Sequence, residues 1–194
     1  MASGDPTNTQ VILWTKITTE DPLIHPVIWE VSDDTSFKKI IASGFFEAKP
    51  FDDYTVKVDA NIPIEFNARK IYYRFQSNGV LSEIGTTSTL PIQNPDKFNI
   101  AFCSCSNYPA GYFNAYKEMA NDKEVDVVLH LGDYLYEYSS KGYASSDAKK
   151  MGRVVNPSNE IVSLDDYRQR YATYRSDKDL QLLHRSKPMI TVWD

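Results

Sequence analysis

The segment "VVLHLGDYLYEY", residues 127–138, places an aspartate and several tyrosines directly after an apolar run. Near-continuous apolar runs are typical of strands that are covered on both faces. Gly132 ends the run, and Asp133 and Tyr136 follow it about one helical turn apart. In open parallel sheets, ligands bind beyond the carboxyl ends of the strands. The segment therefore predicts a site where a carboxylate and a phenol face one point.

The residues around this segment predict an α/β arrangement. A strand is predicted over residues 98–104, a helix over residues 112–121 and the next strand over residues 125–131. The apolar side chains lie on one face in the helix and form short apolar runs in the strands. Together these elements form a strand–helix–strand unit.

Two more helices and a further strand are predicted after a long polar loop over residues 139–158. Ser163 and Ser176 each precede an aspartate by three residues, a pattern typical of helix N-termini, so helices are expected to begin there. Pro188 is expected to end the second helix, and residues 189–193 predict another buried strand.

Alternation of apolar and polar residues predicts half-buried antiparallel strands in the first ninety residues, most clearly over residues 54–58 and 71–75. Further short strands are predicted over residues 11–16, 27–32, 39–46 and 81–87. The segment "LPIQNPDK", with two prolines, then ends this pattern. The predicted fold class is a β-sandwich over residues 1–92, followed over residues 93–194 by the first part of an α/β domain.

The composition narrows the classes of partner. A net charge of -5 provides no general attraction for nucleic acid, so a phosphate-bearing substrate must be held locally by a metal or by a few arginines. No apolar stretch approaches the ~20 residues that span a bilayer, and no membrane span is expected. Cys103 and Cys105 are separated by one residue, a spacing that suits a disulfide poorly and leaves the redox compartment open.

Taken singly, the residues near the strand ends have ordinary structural explanations. A cysteine near a strand is usually a small core residue, and this interpretation is kept for Cys103. An aspartate after Gly132 is equally well explained as a turn or helix cap. Tyr134 and Tyr138 are expected to be half-buried core residues.

Taken together, Cys105, Asp133 and Tyr136 are typical of a metal site. A thiol and a phenol have ordinary pKa values near ~8.5 and ~10, so their ionised forms need a strong local positive charge at neutral pH. A ferric ion supplies such a charge. The two oxygens of Asp133 can bridge that ion to a second metal about 4 Å away, as in two-metal phosphoryl-transfer sites. The sequence holds no GxSxG, Walker or HExxH motif.

Four stretches along the chain resemble successive motifs of the PhoD-like alkaline phosphatase family, in the calcineurin-like metallophosphoesterase superfamily. They are "ASGDPTNTQVILWTK", "FCSCSNYPAGYFNAYKEMA", the opening segment and "LDDYRQRYATYRSDKDLQLLHRSKPMITVWD". The resemblance implies a fibronectin-III-like sandwich before a catalytic metallophosphoesterase domain, which is truncated in this chain. It also implies hydrolysis of phosphate monoesters or diesters by a metal-bound hydroxide or oxide, with iron and calcium as cofactors.

The resemblance assigns roles to individual positions. It implies that Cys105 is a ligand of the ferric iron, that Asp133 bridges the two metals and that Tyr136 is a phenolate ligand. The family's next motif reads WDDHE, whereas this chain stops at "TVWD", so Asp194 matches only the first aspartate and is placed near the site. Asn107, close after the cysteine, is expected either to contact the phosphate or to serve a turn.

Two expectations concern the context of the chain. The resemblance implies an exported protein that is periplasmic, secreted or at the cell surface, although "MASGDPTNTQ" lacks the basic and apolar regions of a secretory signal. The alternative function is a non-catalytic binding or interaction fragment, because a sheet that ends after its third strand exposes an edge and apolar faces.

The remaining polar candidates are given structural interpretations. His130, inside the apolar run, is expected to be a hydrogen-bonded core residue. His184 is expected to complement the dipole near a helix end. Arg168, Arg170 and Arg175 are expected to form surface or interdomain pairs.

Overall fold

Eleven strands and four α-helices form the part of the chain that the computed structural model describes, residues 1–192. The strands are β1 (Ala2–Gly4), β2 (Gln10–Lys16), β3 (His25–Ser32), β4 (Ile40–Ala48), β5 (Thr55–Asn61), β6 (Ile71–Ser77), β7 (Val80–Leu81), β8 (Gly85–Thr87), β9 (Ile100–Cys103), β10 (Val127–His130) and β11 (Pro188–Thr191). The helices are α1 (Asn114–Asn121), α2 (Ala148–Met151), α3 (Leu164–Tyr174) and α4 (Lys178–Ser186). None of the helices within residues 1–192 is long and apolar enough to cross a membrane.

The first half of the chain folds as a β-sandwich, as its alternating pattern predicts. One layer is β5–β2–β1, and the other is β4–β3–β6 with β7 and β8 beside β6. Every second residue in most of β2 and β6 is buried, and Val11, Leu13, Ile71 and Tyr73 are fully excluded from solvent in the shared core. The chain is mostly sheet with few helices, in agreement with the predicted β-sandwich. The fibronectin-III-like and metallophosphoesterase assignments stay predictions.

The single strand predicted over residues 81–87 is wrong, because the structure divides this segment into β7 and β8. Ser82 lies between them and still donates its backbone N–H to the carbonyl of Phe75 on β6 at 2.8 Å. Its hydroxyl accepts a hydrogen bond from the backbone N–H of Phe75 at 3.0 Å and donates to the carbonyl of Glu83 at 2.6 Å. A serine side chain thus takes the place of a backbone partner in the ladder.

The second half builds a parallel sheet from β9, β10 and β11, with helices on one face. Val128 of the central strand lies opposite Ala101 of β9 and Met189 of β11. Val128 and Met189 are buried in a cluster with Tyr116 of α1 and Leu183 of α4. The predicted strand–helix–strand unit is therefore present, with strands shorter than predicted.

β1 joins the two halves into one sheet, which the sequence pattern did not predict. The strand pairs antiparallel with β2 and parallel with β11, so the six-stranded order is β5–β2–β1–β11–β10–β9. On the α4 side, the hydroxyl of Tyr73 donates to the carbonyl of His184 at 3.4 Å, and Arg185 pairs with Glu83. The division into residues 1–92 and 93–194 stays a prediction, and its two parts share a continuous sheet.

The face of the parallel sheet opposite the helices is apolar and open. Ile100 and Phe102 of β9 are exposed, Phe102 by 69%, and Leu131 and Val192 are exposed beside them. Within residues 1–192, β9 pairs only with β10 and lies at the edge of the sheet. The open edge and apolar face expected from the sequence are thus present among the described residues.

The caps of α3 and α4 show one correct prediction and one wrong prediction. Ser163 forms a reciprocal capping box with Asp166, as predicted for α3. The cap of α4 is Asp177 and not Ser176, because the Asp177 carboxylate accepts the N–H groups of Asp179 and Leu180 at 2.9 and 3.0 Å. The hydroxyl of Ser176 instead donates to the carbonyl of Thr173.

Residues 139–158, predicted to be a long polar loop, contain the short helix α2, and two buried arginines anchor this segment. Arg153 pairs with Asp177 at 2.5 Å, with both side chains only 6% exposed, and lies over the ring of Tyr108 at 3.8 Å. Arg170 is 1% exposed and donates to carbonyl groups, including that of Pro157 at 3.0 Å. The expected surface or interdomain pairing of Arg170 is therefore wrong, because its guanidinium collects backbone acceptors within the fold.

Gly4→Ala is expected to destabilise the junction between the two halves. A Cβ atom at this position would collide with the backbone carbonyl of Met189 on β11, so β1 and β11 must separate. Overpacking of this kind reduces the free energy of unfolding by about 1 to 3 kcal/mol. Urea unfolding measures the loss. Gly111→Ala is the control, because a Cβ atom at Gly111 meets nothing within 4 Å, and an equal loss there would contradict the expectation.

Asp177→Ala is expected to destabilise the chain far more than Ser176→Ala. The change at Asp177 removes the cap of α4 and leaves the buried Arg153 without its carboxylate, a loss of about 3 to 5 kcal/mol. The neighbouring Ser176 is exposed, and its replacement should change the free energy of unfolding by less than about 0.5 kcal/mol. Similar losses in the two variants, measured by thermal or urea unfolding, would contradict the assignment of the cap.

Candidate metal centre

The candidate site lies where β9 and β10 end at the same edge of the parallel sheet. Cys103, the last residue of β9, lies opposite His130, the last residue of β10. Cys105 follows Cys103 by two residues, and Asp133 follows His130 by three residues. The side chains of Cys105 and Asp133 meet at this edge. The Cys105 thiol donates to Oδ2 of Asp133 at 3.4 Å. The structure thus brings together two of the predicted ligands from separate loops, and Cys105 is exposed rather than part of the core.

Cys105 and Asp133 both have positive φ angles, a backbone conformation that residues other than glycine rarely adopt. The φ angles are 60° at Cys105, 51° at Asp133 and 112° at Gly132. Two backbone hydrogen bonds join the loops, from Cys105 N–H to the carbonyl of Gly132 at 3.2 Å and from Ser106 N–H to that of Asp133 at 2.8 Å. Left-handed conformations cost about 1 to 3 kcal/mol each and cluster at functional sites.

Tyr136 adds a phenol to the same point. Its hydroxyl donates to Oδ2 of Asp133 at 2.8 Å, the atom that also accepts from Cys105. Burial, and then the neighbouring Asp133 and Cys105, raise the pKa of the phenol well above its usual range. The phenol is therefore protonated at neutral pH unless a cation offsets these effects.

The backbone of Tyr136 is held from the side of α3. Its N–H donates to the hydroxyl of Tyr174 at 3.3 Å, and its carbonyl accepts from the buried Arg170. The ring of Tyr138 stacks on that of Tyr136 with centroids 5.9 Å apart, and Tyr138 is 49% exposed. Tyr138 is half-buried, as expected, but it lies outside both hydrophobic clusters of the described residues, so the prediction that it belongs to the core is wrong.

Asn107 lies beside the centre, and its two expected roles stay predictions. The backbone N–H of Asn107 donates to the carbonyl of Cys105 at 3.1 Å, as in a turn. Its side-chain amide donates to the carbonyl of Tyr143 at 3.4 Å, which connects the cysteine loop to the long polar loop. Asp194, which was placed near the site, lies outside the described residues.

The three side chains are chemically suited to a cation. They supply one sulfur and two kinds of oxygen, a mixed set that favours a transition metal over a purely hard cation. Within residues 1–192 no group of three or more His, Cys, Asp and Glu side chains could hold a metal, and the candidate set contains two of these side chains and a tyrosine. The residues present fit part of a metal shell.

Sequence reasoning missed the polar cluster beneath the site. His130 is fully buried, as expected, and its Nε2 lies 2.8 Å from the Oγ of Ser106 and 3.1 Å from the hydroxyl of Tyr116. No motif or periodic pattern in the sequence marks Ser106. Its position directly after Cys105 is the one signal that indicates a role at the site. His184 is also buried, and its Nε2 is hydrogen-bonded to the hydroxyl of Tyr134 at 2.7 Å.

His184 does not act as a charged partner of the helix dipole. Burial, and then the nearby Arg175 guanidinium, hold the pKa of its imidazole well below the usual range. The side chain is therefore neutral at neutral pH, and the interpretation as a dipole partner is wrong.

Comparisons with known proteins agree on one family. Residues 100–194 match the family model described as PhoD-like phosphatase, and residues 1–91 match the model described as PhoD-like phosphatase, N-terminal domain. The whole chain is 43% identical to a protein named alkaline phosphatase D from Bacillus subtilis (strain 168) and spans 34% of the length of that protein. A solved structure described as "Structure of PhoD" is 39% identical, with a TM-score of 0.86, over the whole chain and 38% of the solved chain.

Tyr136→Phe is expected to abolish the spectroscopic signature of a bound cation in the full-length gene product. Because its raised pKa keeps the phenol protonated without a cation, tyrosinate absorption at neutral pH should appear only when metal is added. With ferric iron, a visible charge-transfer band should accompany it. Tyr138→Phe removes the neighbouring stacked phenol and should retain the band. A band that survives in Tyr136→Phe would exclude this residue as a ligand.

Proposed function

The chain belongs to the PhoD-like phosphatase family, and from this premise we propose that its full-length gene product hydrolyses phosphate monoesters or diesters at a two-metal site. The observation that carries the proposal is the meeting of thiol, carboxylate and phenol at Oδ2 of Asp133. The residues described here hold only part of that site. Because the chain spans 34% of its relative, further ligands are proposed to come from outside this sequence.

The proposed ligands divide between two cations. Cys105 and Tyr136 would hold a ferric ion, and Asp133 would contribute its carboxylate to that ion and to a calcium ion. A sulfur ligand favours the transition metal, whereas calcium prefers carboxylate and carbonyl oxygens. Metal dependence is what membership of the family suggests, and the identity of the two metals belongs to this proposal.

The bound cations supply activation of the attacking water and neutralisation of charge on the phosphoryl oxygens. The chain's own residues prepare that point. Asp133 accepts hydrogen bonds from both the Cys105 thiol and the Tyr136 phenol, and both groups would lose these protons to solvent on becoming ligands of a cation. Asn107 is proposed to turn its amide from the carbonyl of Tyr143 toward a phosphoryl oxygen.

The proposed substrate is a small phosphate ester, and the proposed location is outside the cytoplasm. Phosphatase membership supports a phosphate-ester substrate, and no sequence-specific binding of nucleic acid is proposed. The relative's name, alkaline phosphatase D, supports phosphatase activity. Periplasmic, secreted or cell-surface location rests on the family resemblance alone.

A second candidate function is a non-catalytic binding or interaction fragment. The observation that favours it is the open apolar face of β9, where Ile100 and Phe102 are exposed. For residues 1–194 expressed alone, this candidate predicts self-association without turnover. A monomer with metal-dependent turnover of a phosphomonoester would exclude it.

Asp133→Ala is expected to abolish phosphatase activity in the full-length gene product. The change removes the shared acceptor of Cys105 and Tyr136 and the proposed bridge between the cations. Loss of several kcal/mol of transition-state stabilisation reduces kcat/KM by about 100-fold or more. The readouts are turnover of a phosphomonoester and of a phosphodiester, together with bound iron and calcium measured by elemental analysis.

Asp165→Ala is the matched control, because this exposed carboxylate on α3 pairs with Arg168 at the surface. It should retain both activity and metal. An Asp133→Ala variant with full activity and full metal content would overturn the site assignment. A wild-type protein that turns over neither ester in the presence of iron and calcium would overturn the proposed function.

A further inference from the structure

A buried polar cluster lies directly beneath the candidate metal centre. It consists of Ser106, Tyr116 and His130, which come from the cysteine loop, α1 and β10. All three residues are buried, and His130 is fully excluded from solvent. None of them is a proposed metal ligand, yet Ser106 follows Cys105 directly and His130 precedes Asp133 by three residues.

Ser106 contacts the segment over residues 130–133 at both of its ends. Its backbone N–H donates to the carbonyl of Asp133 at 2.8 Å, and its Oγ lies 2.8 Å from Nε2 of His130. Two contacts to one four-residue segment fix the direction as well as the distance of the cysteine loop. The hydroxyl of Ser106 thus adds a side-chain restraint from the core side to the backbone hydrogen bonds that join the two loops.

Tyr116 closes the cluster from the helix layer. Its hydroxyl is hydrogen-bonded to the Oγ of Ser106 and lies 3.1 Å from Nε2 of His130. Buried polar groups lose their hydration and are destabilising unless they are paired. A cluster that pairs them specifies one arrangement more sharply than apolar packing does. The arrangement specified here is that of the two loops carrying Cys105 and Asp133.

The strained backbone of these loops needs such support. Cys105 and Asp133 both have positive φ angles, 60° and 51°, which persist only where the surroundings over-determine them. A small rotation of either residue would separate the thiol from the carboxylate. The polar cluster is placed to resist that rotation from the core side, opposite the solvent side where a cation enters.

We propose that the contact between Ser106 and His130 positions Cys105 against Asp133. Ser106 and His130 are then positioning residues of the metal centre rather than ordinary core residues. The proposal rests on the proposed function for its consequence, which is metal affinity. Its structural part, the placement of the Cys105 thiol, is independent of any metal. Loss of supporting residues around metal ligands typically lowers metal affinity by about 10- to 100-fold.

His184 provides a matched control. It is a second buried histidine whose Nε2 also pairs with a tyrosine hydroxyl, that of Tyr134 at 2.7 Å. In both histidines the Nδ1 atom is buried without a hydrogen-bond partner among the described residues. His184 lies on α4 and has no contact to Ser106 among its described hydrogen bonds. If the role of His130 were merely to fill and satisfy the core, the two histidines would behave alike.

The experiment compares Ser106→Ala, His130→Leu, His130→Gln and His184→Leu in the full-length gene product. A Cys103→Ala background removes the neighbouring thiol. The first readout is the rate at which the metal-free Cys105 thiol reacts with an aromatic disulfide reagent. The second is titration with Co²⁺, whose charge-transfer band reports thiolate ligation. The third is the free energy of unfolding in urea.

Ser106→Ala and His130→Leu should change the thiol reaction rate several-fold and weaken Co²⁺ binding by about 10- to 100-fold. In His130→Gln the side-chain amide can reach the position of Nε2. This variant should therefore retain most of the parent's thiol reaction rate and Co²⁺ affinity. His184→Leu should lose stability but keep the thiol rate and the Co²⁺ titration of the parent. Because Ser106→Ala deletes a single oxygen, it tests the proposal even if His130→Leu fails to fold.

The proposal is overturned if Ser106→Ala leaves both the thiol rate and the Co²⁺ titration unchanged. It is also overturned if His184→Leu shifts them as much as His130→Leu does. If the parent protein binds no Co²⁺ and hydrolyses no phosphate ester, the proposed function fails. The thiol rates then still decide whether Ser106 and His130 position Cys105.

Discussion

The parallel pairing of β9 with β10 is the constraint on which the candidate site depends. Because the two strands run in register from Ile100 opposite Val127 to Cys103 opposite His130, they end at one edge. The loops that follow therefore place Cys105 and Asp133 together, although 28 residues separate them along the chain. α1 and α4 cover one face of this sheet, and β11 links it through β1 to the sandwich.

Hydrogen bonds from several elements of the fold hold the residues of the candidate site. The left-handed backbone at Cys105 and Asp133 is held by hydrogen bonds between the two loops and, on the core side, by the polar cluster of Ser106, Tyr116 and His130. Tyr136 is fixed by the hydroxyl of Tyr174 and by the buried Arg170. Each of these contacts resists movement of a ligand, which is the property that a preorganised metal centre requires.

Local patterns predicted local structure well. The alternation in β2 and β6, the apolar run of β10 and the capping box at Ser163 each depend on neighbours within a few residues, so the sequence displays them directly. Two of the predictions that were wrong concern residues with contacts to distant parts of the chain. Asp177 replaces Ser176 as the cap because its carboxylate also pairs with Arg153, and Arg170 is buried because carbonyl groups of a distant loop surround it.

The sequence by itself determined the family, the β-sandwich and the candidate ligands Cys105, Asp133 and Tyr136, because motifs and periodicity are written along the chain. Only the tertiary structure decided that β1 joins both halves into one sheet and that Ser106 contacts His130. Three residues of β1 are too few to show a period, and a hydrogen bond between positions 24 residues apart leaves no local pattern. Such contacts form only when folded strands bring distant side chains within reach of each other.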